Sequence, residues 1–327
     1  MIDFRYHLVS IVAVFLALAI GIVLGTTTLR GPVLKTADKV TKQLKSDNEG
    51  LRKELGQRQK QADGTDTFVT AVSPQLVASR LAGESVVIVA LPGAEDSVRQ
   101  KLVKVLERSG ATVTGTLAVQ QKYLSNDEQQ VLSELTGQLK PKGLKLPRKG
   151  TYDRAAAELA SAVVTSDPSS ADGKDQSSDT ILAGFKTAGY ITTSGRPRTH
   201  ATLAVVLGPP EPVRGQGASA DDRALVGLAR ALDKTGRGAV LVGPPDLTQD
   251  GGLIRTLRAD DRLASRVSTV DDVNTAAGRV VTVFVLHEET EGKTGQYGIG
   301  SGAQGYLPTP VPTPPTGQAA AQAGAHR

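Results

Sequence analysis

Four acidic pairs, Asp221-Asp222, Asp260-Asp261, Asp271-Asp272 and Glu288-Glu289, are the residues whose type and spacing could do chemistry. Carboxylates brought together can divide acid and base roles or hold a hard cation. The order of the chain brings no two of these pairs together, so each reads as a helix start or a solvated face. The four histidines, His7, His200, His287 and His326, are scattered. None has a second His four residues away, the spacing that presents two imidazoles to one metal on a helix. His200 and His287 therefore read as ordinary surface or core residues, His326 as solvated, and His7 as an interfacial residue beside Arg5 and Tyr6.

Phosphate and nucleophile chemistry fare no better. The one G-x-G-x-x-G match, Gly300, Gly302 and Gly305, follows no strand and runs into Tyr306-Leu307-Pro308 rather than a helix. A pyrophosphate there would lack the helix N-terminus that binds it. No G-x-S-x-G elbow occurs, so a Ser-His-Asp site has no mount. The absence of Cys removes disulfides, thiolate catalysis and cysteine-held iron or zinc. Only 3% of residues are aromatic and none is Trp, which argues against a stacking platform for nucleic acid. No catalytic, cofactor-binding or metal-binding residue is assigned. The expectation is a protein that is not an enzyme.

The elements that remain are unusual in their order. Leu8–Leu24 is seventeen residues without a charge, and with the following Gly and Thr residues it reaches the length a helix needs to cross hydrocarbon. Leu8, Phe15, Leu16, Leu18, Ile20 and Leu24 are its main apolar contacts with lipid. A cleaved signal peptide is the competing reading; its apolar core would be shorter and followed by a small-x-small site. The anchor is read as residues 1–29.

Residues 30–64 form a basic stalk. From Arg30 to Lys60 there are nine Lys or Arg and four acids, an excess of five that equals the net charge of +5. Val33, Ala37, Val40, Leu44, Leu51 and Leu55 recur in steps of four and three with one of seven, which predicts a coiled-coil seam and a homodimer. A solvated amphipathic linker helix, or basic residues resting on anionic lipid headgroups, are the alternatives.

Residues 65–291 read as an α/β domain. Ser85–Leu91 (SVVIVAL), Ala111–Val119, 203–210 (LAVVLGPP) and 239–245 (AVLVGPP) have the composition of buried parallel strands. Helical spacing separates them, over Asp127–Leu139, Tyr152–Val164, Thr180–Ala188 and Asp221–Leu232. A short strand near Arg266–Val270 leads into Val273–Glu288, which is Val-rich but fits a helix face and is read as helix. One Rossmann-like, doubly wound, mostly parallel sheet accounts for these elements. Residues 292–327, rich in Gly and Pro, read as a flexible tail.

The N-terminus MIDFRYHLVS, followed by AVFLALAIGIVLG, resembles the actinobacterial family of the mycobacterial copper transport protein B, MctB. The order of anchor, stalk, α/β domain and a Gly-Gln-Tyr-Gly motif at Gly295–Gly298 is similar too. The resemblance implies a membrane or outer-membrane protein of copper homeostasis, with a pore as one form of it. Some relatives look like division-associated membrane proteins that act through a coiled coil with a cytosolic partner and a cell-wall hydrolase. Copper enters as a ligand by resemblance alone: copper(I) prefers thiolates and thioethers, and the chain offers no Cys and one Met.

Topology rests on two opposed arguments. Arg5 lies on one side of the anchor and Arg30, Lys35, Lys39, Lys42 and Lys45 on the other, which by charge count retains the domain in the cytoplasm. Long domains translocate largely regardless of that count, and the resemblance places the domain outside. The expectation is a single-pass protein of the cell membrane with an extracytoplasmic α/β domain, its partners being the bilayer, a second copy of itself and an envelope or cytosolic protein.

Overall fold

Strands that are buried on both faces lose the in-out alternation of a half-exposed strand and become short apolar runs. A computed structural model shows this chain built on four of them. It describes residues 4–311 except 142, 143, 149, 172–174, 198 and 216, and not the side chains of 26–38. The chain divides into two compact units, Met1–Thr65 and Asp66–Arg327.

The first element, α1 (Phe4–Val77), carries the anchor and stalk sequences and ends inside the second unit. There Val69 and Val77 pack against the sheet's first helical layer. The helix runs without a break through residues 29 and 30, where the sequence reading divides anchor from stalk.

The elements that follow are β1 (Ser85–Ala90), α2 (Asp96–Arg108), β2 (Thr112–Val119), α3 (Gln129–Leu139), α4 (Thr151–Val163), α5 (Gln176–Thr187) and β3 (Ile191–Gly195). Then come β4 (Leu203–Leu207), α6 (Ala218–Thr235), β5 (Gly238–Val242), α7 (Leu253–Arg258), α8 (Asp261–Ala264), β6 (Ser268–Val270), α9 (Ala276–Thr290) and β7 (Gln296–Tyr297). The sheet order is β3-β2-β1-β4-β5-β6-β7. Every pairing is parallel except β2 with β3.

Successive residues of β1 serve opposite layers. Val86 and Ile88 join Leu102, Leu106, Val281 and Val285 beneath α2 and α9. Val87 and Val89 join Leu159, Val163, Leu225 and Leu228 beneath α4 and α6. Helices on both faces of a mostly parallel sheet are the doubly wound arrangement that the βαβ spacing predicts.

Two features differ from the expectation and one agrees with it. β3 was not foreseen, because ITTSG buries only Ile191 fully and so lacks an apolar signature. The α9 stretch is helix, as the spacing indicated; twelve of its residues are buried, which removed the polar face that marks a surface helix. The third is a correction. Residues 292–305 are not a loose tail, since Gln296 and Tyr297 pair with Thr269 and Val270 to close the sheet edge. The rest of the expected tail, residues 312–327, lies outside the described residues.

Candidate functional site

A doubly wound sheet binds ligands outside the carboxyl ends of its strands, where the connections diverge. Here that point lies between β1 and β4. The turns that follow them, Pro92-Gly93 and Gly208-Pro209-Pro210, approach closely: a Cβ on Gly93 would lie 3.3 Å from Pro209 Cβ. Pro92, Pro209, Pro212, Leu225, Leu247 and Leu253 close the crevice, leaving about 10 Å³, at or below what one water needs. The acids at its rim oppose an anion too. Asp222 is buried, and its carboxyl is pushed up to about 6 by burial, with Asp221 adding to the shift. The gap between these two turns is filled by apolar side chains, whereas a cavity of about 500 Å³ stays open beside it over the ends of β1 and β2, lined by Pro92, Gly93, Asp96, Arg99, Gln120 and Thr193.

The acidic pairs separate into two kinds. Asp260 caps α8, accepting from the Arg262 N–H at 2.9 Å, and Asp261 lies exposed in its first turn, as expected of a helix start. Asp271-Asp272 and Glu288-Glu289 are buried, and the reading of them as solvated faces or helix starts is wrong. Asp271 is the hub of a closed network. Its Oδ2 pairs with Arg258 Nη1 at 2.8 Å, and both residues are almost wholly buried. Its Oδ1 accepts from Ile299 N at 2.8 Å and Gly300 N at 3.1 Å. Arg258 donates onward to the Ser301 and Tyr297 carbonyls at 2.8 and 2.9 Å, and to Thr269 Oγ1 at 2.9 Å. Gly298 has φ +128°, and a Cβ there would sit 2.1 Å from Asp271 Oδ1.

This network accounts for the Gly-Gln-Tyr-Gly motif. Gln296 Nε2 donates to the Ala264 and Val267 carbonyls, Tyr297 Oη donates to Glu288 at 2.8 Å, and Gly298 admits the Asp271 carboxylate. Tyr306 Oη donates to Asp272 Oδ2 at 2.7 Å. The backbone amides of Ile299 and Gly300 do cradle an anion, as glycine-rich loops do. The anion is the chain's own carboxylate. The motif is a lock on the sheet edge, and linear spacing alone could not reveal it.

Glu289 reports on the same edge. It is buried, its Oε1 has no hydrogen-bond partner, and burial pushes its carboxyl up to about 8 despite a hydrogen bond with Ser268. The folded chain therefore keeps this proton between pH 4.5 and about 8 while the unfolded chain has lost it. Stability must fall as pH rises through that window. Glu289→Gln is expected to remove this slope, so that its stability relative to wild type rises by about 2–4 kcal/mol between pH 5 and pH 9. Urea midpoints at the two pH values check it; parallel pH profiles for the two chains would contradict it.

The histidines stay apart from these acids. His200 Nε2 lies 2.9 Å from Ser178 Oγ, and His287 Nδ1 donates to the Arg80 carbonyl at 2.8 Å. Among the described residues no three His, Cys, Asp or Glu form a group that could hold a metal ion.

The anchor and seam residues are on α1. Leu8, Phe15, Leu16, Leu18, Ile20 and Leu24 are each more than half exposed, as are Val40, Leu44, Leu51 and Leu55. The side chains of Val33 and Ala37 lie outside the described residues. Phe4–Gly25 is a 22-residue apolar stretch with none of it buried in the protein. In water such a surface is costly, and its length matches the hydrocarbon core.

Together these features define an α/β protein with an N-terminal apolar helix and a mostly parallel seven-stranded sheet. The family described as copper transport outer membrane protein, MctB, matches residues 1–308, and the chain belongs to that family. It is 30% identical over 312 residues to the copper transporter MctB of Mycobacterium tuberculosis (strain ATCC 25618 / H37Rv), covering 93% of this chain and 98% of the relative. It is 29% identical over 315 residues to the copper transporter MctB of Mycobacterium leprae (strain TN), with the same coverage.

Proposed function

We propose that this chain is a non-enzymatic, single-pass membrane protein that dimerises through its stalk and holds its α/β domain outside the cell membrane as a scaffold. The observation that carries this reading is the apolar helix Phe4–Gly25, none of it buried in the protein, preceding an α/β domain in which no three His, Cys, Asp or Glu among the described residues form a group that could hold a metal ion. The copper transport named for the relatives comes to this chain as copper homeostasis exercised through a partner. A copper(I) site calls for thiolates or thioethers and a copper(II) site for clustered imidazole and carboxylate. The sequence has no Cys and one Met. His200 and His287 are each engaged with a different protein group. The one apolar helix of membrane-spanning length among the described residues also gives a pore no wall unless many copies assemble.

Equilibrium dialysis of the full-length chain in neutral detergent, with copper(I) and with copper(II), tests the copper part. No stoichiometric binding is expected. One tightly held copper per chain, lost on His200→Ala or His287→Ala, would overturn it.

A further inference from the structure

Above the last turns of α1 lies a cavity of about 280 Å³ between those turns, α2 and the start of α9. Its wall is cationic. Lys101, Lys104 and Arg108 line it from α2, at i, i+3 and i+7 on one helix face, where like charges repel. None of the three is in an ion pair among the described residues. Arg279 lines it from α9, with its side chain only 5% exposed.

A buried guanidinium is costly unless it is fully paired. Arg279 Nη1 donates to the Val273 and Asn274 carbonyls at 3.2 and 2.8 Å. Its Nη2 reaches a carboxylate only at Asp66 Oδ2, 3.7 Å away and beyond hydrogen-bond length. The other Asp66 oxygen is committed to the Ala276 N–H at the start of α9. Four cations thus face a cavity that contains one acid, itself already shared.

We propose that this cavity binds the phosphate group of a phosphorylated ligand. The planar guanidinium fork suits phosphate geometry, and lysines add point charge. Thr70 supplies a hydroxyl at the wall. A dianion offsets the excess of three positive charges better than a single carboxylate or chloride. The cavity exceeds one water's share of liquid volume, about 30 Å³, several-fold, so a phosphate group fits with its solvation partly retained. The group belongs either to a soluble phosphate ester or to a lipid headgroup, and the test separates the two.

The full-length chain in phosphatidylcholine nanodiscs is titrated calorimetrically with inorganic phosphate and glycerol 3-phosphate against chloride at matched ionic strength. One saturable site per chain is expected. The exposed double change Lys101→Ala/Lys104→Ala, which leaves the core intact, should weaken it about tenfold. Arg279→Lys, which keeps the charge and loses the fork, should weaken it as well. The same titration in nanodiscs containing phosphatidic acid identifies the source. Loss of binding there assigns the site to a lipid headgroup, and retained binding assigns it to a soluble ester. No saturable phosphate binding in phosphatidylcholine, or binding that Lys101→Ala/Lys104→Ala leaves unchanged, overturns the proposal.

Discussion

Replacing Asp271 by Ala is expected to destabilise the folded chain by about 3–5 kcal/mol, the cost of leaving a buried charge without its partner. The stranded charge is Arg258, whose side chain is 5% exposed. The backbone N–H groups of Ile299 and Gly300 lose their acceptor in the same change. These effects compound, because the carboxylate joins β6 to the segment after β7. The edge strand should then detach, and limited proteolysis should cut within residues 292–305 before the rest of the domain. Replacing both partners, Asp271→Leu with Arg258→Met, should cost less than the sum of the single changes, since no unpaired charge remains. Urea denaturation followed by tyrosine fluorescence measures all three chains. A single Asp271→Ala variant within about 1 kcal/mol of wild type would show that the network does not hold the edge.

Leu44→Asp is expected to convert a dimer into a monomer. Leu44 projects from α1 more than half exposed, between Val40 and Leu51. Leucines and valines at such spacing gain stability only when a facing helix covers them. A carboxylate at the centre of that seam would be buried without a partner in each of two chains, and burying an unpaired charge costs more than a short seam supplies. Light scattering of the full-length chain in neutral detergent should give a dimer for wild type and a monomer for the variant. A wild-type monomer, or a dimer that survives the substitution, would remove the seam from the account.

The parts of this fold that were legible share one property: their signal is local. SVVIVA, LAVVL and GAVLV announce buried parallel strands because both faces of each strand are covered, and nothing remote is needed to see it. The apolar helix Phe4–Gly25 is legible for the same reason. β3 escaped because its partner on β2, not its own composition, makes it a strand: four of its five residues are polar or glycine. The edge lock escaped because Arg258, Asp271 and Gly298–Gly300 are far apart in sequence, so that no spacing rule connects them. Glycine density between 292 and 305 was read as flexibility, whereas Gly298 and Gly300 have no side chain because Asp271 and Thr248 occupy the space. The cationic wall was equally hidden: Lys101, Lys104 and Arg108 resemble any solvated helix face until the fold places Arg279 beneath them.

Topology decides the central claim, that an anchored α/β domain stands outside the cell membrane. The chain has no Cys, so one introduced thiol is unambiguous. Ser170 is exposed in the short helical turn Pro168–Ser170. Ser170→Cys in intact cells is expected to react with a membrane-impermeant maleimide to the same extent before and after lysis. Labelling that appears only after lysis would place the domain in the cytoplasm and contradict the account.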